Sequence, residues 1–238
     1  MANFNTHLSV ALGVGSLAAV VAVNGGLADV AQSPWYIAVG AMGGMLPDID
    51  SDHSRLAKRL FMGLASCCAG MAWFALERSL NQQALLMTVL AVLWGIRYLA
   101  LYLFQKVTVH RGVFHSVLAG IFFALLLVCI QHYMLEASKA EAWLSGVFLL
   151  LGFLVHLCLD ELYSVDLANG RIKKSFGTAL KVYGYQNIPG SVLLLCLVAG
   201  LLTVAPSPAS FYKAFRLVDW ASAADIGSQF SRVLQGRL

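Results

Sequence analysis

A chain of 238 residues with 59% hydrophobic residues, 12% charged residues and a mean hydropathy of +0.75 falls outside the range of soluble domains, which carry about 25% charge. The net charge of +4 is modest and lies in the polar loops, so it reads as membrane orientation and not as a nucleic-acid surface. The apolar residues form continuous runs without period-2 alternation, which sets aside a β-barrel and predicts an all-α, polytopic helical membrane protein.

Apolar runs cover about 7–23, 34–46, 60–77, 84–104, 112–131, 142–160 and 190–205, which predicts about six to seven membrane segments. Residues 1–205 read as a single membrane-embedded domain and 206–238 as an amphipathic tail. The first run has the length of a signal-peptide core. Met1 to His7 carries no Lys or Arg, so it is kept as a first membrane helix, with His7 at its start. The second run is too short to span alone and is broken at Gly43-Gly44 and Pro47, which suits a half-buried helix.

Asp48-Ile49-Asp50 follows at once, ahead of Ser51-Asp52-His53-Ser54. Alternating carboxylates at a helix end suit hard or borderline cations, one or a pair of them. Asp52 and Ser54 read as turn and capping residues. Arg97, inside the fourth run, is expected to snorkel or to pair with a buried carboxylate. Gly13, Gly15, Gly63, Gly70, Gly146 and Gly152 are assigned to close helix packing. The five cysteines all fall within apolar runs without a CxxC pair and read as small, reduced, buried hydrophobes.

His110-Arg111-Gly112-Val113-Phe114-His115-Ser116 opens the fifth run. His110 and His115 are five apart, so a straight helix would splay them. Gly112 lets His110 stay in the entering loop while His115 sits one turn inside the helix. Arg111 then offers a clamp for an anionic oxygen, or an orientation anchor. Ser116 reads as a packing or supporting group, since no Gly-x-Ser-x-Gly surrounds it. His132, at the other end of this run, is expected to have no role. His156 and Asp160 close the sixth run four residues apart, which places them on one helix face as a metal-gripping pair or a structural His–carboxylate pair. In the tail, Phe211, Phe215 and Val218, then Ile226, Phe230 and Val233, recur at helical spacing and suit an interfacial or a docking helix.

Counting crossings from the side of His7 brings Asp48, Asp50, His110, His115, His156 and Asp160 back to that same side. Arg55, Lys58, Arg59, Lys106, Arg111, Arg171, Lys173, Lys174 and Lys181 lie there too, against Arg78 and Lys139 in the far loops, so this face is expected to be cytoplasmic. Together the knots supply nitrogen and oxygen ligands without thiolates, a set suited to Zn²⁺, Mn²⁺ or Fe²⁺, singly or as a pair, and to hydrolysis of a phosphate or acyl ester.

Pro47-Asp48-Ile49-Asp50-Ser51, His110-Arg111-Gly-x-x-His115-Ser116 and His156-Leu-x-Leu-Asp160, in this order between apolar runs, resemble the LexA-regulated inner-membrane metal-dependent hydrolase family of bacteria. The resemblance covers about residues 1–190 and implies an integral membrane protein with a hydrolase site. The HxxxD element is also similar to one in zinc-dependent phospholipase C and nuclease folds. The loop after Asp160, with Lys173-Lys174-Ser175-Phe176-Gly177, departs from the Asn-Pro or Gly-rich turn and Pro-Phe of many members, which leaves the substrate open.

The reading expected on these grounds is a membrane-bound hydrolase acting on a phospholipid or lipid-linked phosphoester. His7, Asp48, Asp50, His110, His115, His156 and Asp160 would bind zinc or manganese, with Asp50, His115 and Arg111 in the chemistry. A metal transporter or sensor, and a membrane protein with a structural metal, are the alternatives.

Overall fold

The computed structural model describes residues 3–50, 55–102, 112–166, 171–172, 180–185 and 187–220. For Ile49, Asp50, Arg55, Leu56, Leu60, Cys67, Val165, Asp166, Arg171 and Ile172 it describes the backbone alone. In chain order the helices are α1 (Phe4–Asn24), α2 (Ser33–Gly43), α3 (Arg55–Leu76), α4 (Gln82–Trp94), α5 (Val117–Tyr133), α6 (Lys139–Leu162), α7 (Ile188–Val204) and α8 (Ala209–Leu217). Short 3-10 turns cover Val30–Gln32 and Leu46–Asp50, and a π-helical turn, Gly95–Ala100, extends α4. The chain packs as two units, Met1–Pro47 with Val113–Leu238, and Asp48–Gly112.

Sequence chemistry sets the helix ends. Asn3 accepts from the Thr6 amide at 2.8 Å to start α1, and Ser138 with Glu141 forms a reciprocal capping box on α6. Asn187 caps α7, with Pro189 in its first turn. Among the described residues four helices are long and apolar enough to cross a membrane: Phe4–Asn24, Ala57–Leu76, Gln82–Ala100 and Lys139–Leu162. A fifth span arises if α7 and α8, bent by 84° at their junction, count as one. The run at 34–46 becomes an 11-residue helix, only about 16 Å long against a hydrocarbon core of about 30 Å. The run at 112–131 yields the 17-residue α5, also short of a full crossing.

In the first unit α6 is the hub, packing against α1, α2, α5 and α8, while α7 packs on α5. Tyr36, Val39, Phe148, Leu149, Phe153 and Leu157 form the centre of its core. Small residues decide how close the backbones come. A Cβ on Gly152 would collide with the Gly40 carbonyl, and one on Gly43 with the Leu149 carbonyl, so α2 and α6 touch backbone to backbone there. Gly15 and Gly146 also sit in close contacts, but Gly13, Gly63 and Gly70 face open space. The packing assignment for those three is therefore corrected: among the described residues nothing lies within 4 Å of a Cβ placed there. A Gly152→Val variant is expected to lose more than the roughly 1–3 kcal/mol usual for overpacking, because a carbonyl cannot rotate aside as a side chain can. Gly13→Ala should be neutral or gain up to about 1 kcal/mol of helix propensity. Thermal unfolding of the two variants in detergent checks the contrast.

At the end of this unit opposite His7, Trp35 donates to Ser145 Oγ at 3.1 Å, and Ser145 donates to Gln131 Oε1 at 3.2 Å. Tyr133 and Trp143 reach the carbonyls of Val204 and Pro206 at the end of α7. From there α8 turns away, with Phe211 against the core and Val218 buried, while Phe215 is exposed. Ile226, Phe230 and Val233 lie outside the described residues. A two-residue antiparallel ladder pairs Val165 with Ile172 and Asp166 with Arg171.

The second unit is a helical hairpin of α3 and α4. Buried Ala57, Ala65 and Ala69 line one face of α3, and Asn81 caps α4 by accepting from the Ala84 amide. Cys68, Cys129, Cys158 and Cys196 carry free thiols. Cys158 and Cys196 face outward, so they are not the buried hydrophobes that their apolar surroundings suggest.

Candidate metal centre

One face of α1 buries His7, Ala11, Gly15, Ala19 and Ala22, a stripe of residues three or four apart. His7 is the first member of that stripe, so it points inward because small residues behind it let α1 approach its neighbours. On α6 the inward stripe runs through Ser145, Leu149, Gly152, His156 and Asp160. The two stripes converge at the same end of the unit, where His7, His156 and Asp160 are all buried.

The third contribution comes from the loop ahead of α5. Ser116 caps that helix, accepting from the Ala119 amide and donating to the Val113 carbonyl at 2.6 Å. The Val117 and Leu118 amides donate to the Lys181 and Val182 carbonyls at 2.9 and 3.0 Å, so the helix start is tied down on both sides. This holds His115, fully buried, two residues before α5 begins. His115 is thus not one turn inside the helix, as the sequence spacing suggested. The cap forms at Ser116, and Gly112 lies further back in the loop.

Three Nε2 atoms gather round one carboxylate. His7 Nε2 lies 3.3 Å from Asp160 Oδ1, and the Nε2 atoms of His115 and His156 lie 3.6 and 3.9 Å from Oδ2. The His7 and His156 rings stack at 3.7 Å with 13° between their planes, and His115 meets His156 edge-on at 5.4 Å. His156 Nδ1 sits 2.7 Å from the Gly44 carbonyl oxygen. A carbonyl can only accept, so Nδ1 carries the proton and Nε2 turns its lone pair towards Asp160. The Gly44 carbonyl is available there because α2 ends beside α6, at the glycine crossing described above.

The residues fit a divalent ion by their spacing. Charge-assisted N–H···O⁻ bonds are about 2.7–2.9 Å long, shorter than all three distances here. Ligand atoms bound at about 2.0–2.1 Å in a tetrahedral shell stand roughly 3.3 Å apart, close to what is seen. One ligand atom from each of His7, His156 and Asp160 fits within 4.8 Å of the others. The donors are nitrogen and oxygen only, which suits zinc, manganese or iron(II) and disfavours the thiolate-loving ions.

Of the expected ligands, the first unit thus brings together His7, His115, His156 and Asp160. Asp48 is half-buried and opens the second unit. His110, Arg111 and the Asp50 side chain lie outside the described residues. His132 is apart from the cluster, with Nδ1 3.0 Å from the Ala137 carbonyl oxygen. Ser116 is a cap, in keeping with its reading as a supporting group. The Gly44 carbonyl was not foreseen.

A family profile described as YdjM inner membrane protein matches residues 1–180. Comparison with curated proteins and with solved structures finds no match.

Proposed function

We propose that this chain, which belongs to the YdjM inner membrane protein family, is a metal-dependent hydrolase of the membrane. That family is the LexA-regulated inner-membrane family which the motifs of the sequence resemble. The observation that carries the proposal is the convergence of three buried imidazoles on the Asp160 carboxylate, from α1, α6 and the loop before α5. His7, His156 and Asp160 would hold the ion, with His115 beside them. When bound, a divalent ion supplies Lewis acidity for cleavage of an ester or phosphoester bond.

The chain's own residues do the rest. Gly44 orients the His156 ring and selects its tautomer, and the Ser116 cap keeps His115 in place. Catalytic zinc sites keep three protein ligands and an open position, which matches the three-ligand group here. Arg111, four residues before His115 in the sequence, is assigned the role of clamping an anionic oxygen of the substrate. The site lies close to helix ends, His7 three residues after Phe4 and Asp160 two before Leu162. That depth supports a substrate whose reacting bond lies at headgroup level, a phospholipid or a lipid-linked phosphoester. The basic residues that the order of apolar runs assigns to the same side as His7 support a cytoplasmic site. Beyond the cluster the core continues through Phe153, Leu149 and Tyr36, apolar packing that speaks against a path for ions.

The test is metal analysis of purified protein together with phosphate release from a lipid-anchored phosphoester and from its water-soluble analogue. About one ion per chain and preference for the lipid-anchored form are expected. His115→Ala should cut turnover more than metal content, whereas His132→Ala should alter neither. Stoichiometric metal with no turnover of any ester would leave a structural ion, and metal uptake into sealed vesicles would favour a transporter. The same measurements on Asp48→Ala, Asp50→Ala and His110→Ala decide whether those residues also hold metal.

A further inference from the structure

Arg97 is a cation inside an apolar helix, and no carboxylate pairs with it among the described residues. It lies in the π-helical turn Gly95–Ala100, and π-turns are frequent at functional sites. Its guanidinium carbon stands 5.1 Å from the centre of the Tyr98 ring, and Tyr98 in turn packs against Trp94 at 4.6 Å. The Arg97 Nε is buried and has no hydrogen-bond partner among the described residues. Trp94, Tyr98 and Tyr102 follow one another at four-residue spacing, and each is more than half exposed. Within the apolar stretch Gln82–Ala100, Arg97 comes about 22 Å along the axis, one turn short of the far limit. At that depth aromatic rings favour the boundary between hydrocarbon and headgroups, and a long cationic side chain reaches the level of lipid phosphates.

From this arrangement we infer that Arg97, with Trp94 and Tyr98, forms a binding site for the phosphodiester of a net-anionic phospholipid. The Tyr98 ring holds the guanidinium in place by cation–π contact, and Trp94 packs against that ring. Its remaining donors are the planar fork that matches a phosphate. A charged group so placed in a span ordinarily has a counter-charge, and here the lipid supplies it. The site lies within the second unit, whereas the imidazole cluster is built from residues of the first.

The experiment is native mass spectrometry of the full chain released from nanodiscs containing equal amounts of phosphatidylglycerol and phosphatidylcholine. Wild type is expected to retain phosphatidylglycerol at least fivefold over phosphatidylcholine. Arg97→Gln should bring that ratio close to one, and should still insert because it removes a charge from the span. Tyr98→Leu, which keeps the charge and takes away the ring beneath it, should lower the ratio part of the way. Adding millimolar inorganic phosphate should leave retention unchanged. Equal enrichment in wild type and Arg97→Gln overturns the proposal. Displacement of the lipid by inorganic phosphate would overturn it too, since the site would then be one for a free anion.

Discussion

Asp160→Asn is expected to yield a folded protein without its metal. The substitution keeps the size and shape of the side chain and removes the one charge on which His7, His115 and His156 converge at 3.3, 3.6 and 3.9 Å. An amide oxygen is a far weaker ligand than a carboxylate, and a buried divalent ion left with neutral imidazoles alone lacks a counter-charge. Even outer-shell partners of a metal ligand are worth about 10–100-fold in affinity, so the loss here should exceed a factor of roughly 100. Metal analysis of the variant after size-exclusion chromatography reads the result, and a normal elution profile shows that folding survived. A variant that keeps its full metal content would remove Asp160 from the ligand set. With it would go the reason for placing the ion among these three rings.

The residues at this centre were legible in the sequence to different degrees, for identifiable reasons. His156 and Asp160 are four apart on one strongly apolar helix, and helical spacing alone puts them on a common face. The inward orientation of His7 is written in a periodicity: Ala11, Gly15 and Ala19 follow it at intervals of four. That small-residue stripe is the signal by which its inward orientation could have been read. His115 was found by its motif, but its exact station depended on which residue capped α5, a choice that Ser116 settles through two local hydrogen bonds. The Gly44 carbonyl has no side-chain signature at all, because any residue carries one. Only the collision-free crossing of Gly40 and Gly43 with Leu149 and Gly152 brings it to His156. The apolar runs at 7–23, 60–77, 84–104 and 142–160 each became a helix long enough to cross a membrane, whereas the run at 112–131 gave only the 17-residue α5, because its helix starts late, at the Ser116 cap. The 34–46 run was legible as a partial crossing, because Gly43-Gly44 and Pro47 mark where its 11-residue helix ends.

Stripping the metal with a chelator should lower the unfolding temperature of wild type by on the order of 10 °C and leave Asp160→Asn almost unmoved. Four buried polar side chains, His7, His115, His156 and Asp160, meet where α1, α6 and the loop before α5 come together, and an ion between them ties these elements to one another. An ion bound a thousandfold above its dissociation constant adds about 4 kcal/mol to the folded state. For a chain of this size each kcal/mol is worth about 2–4 °C. Restoring the metal should recover the full shift in wild type, since the ligands belong to helix faces that are held by packing independent of the ion. Gly152 and Leu149 pack against α2, and Ala11 sits beside Gly44, contacts that do not involve the ligand atoms. A chelator effect of the same size in Asp160→Asn would mean that the stabilising ion sits elsewhere. No shift in either protein would mean that these imidazoles hold their carboxylate without a cation between them.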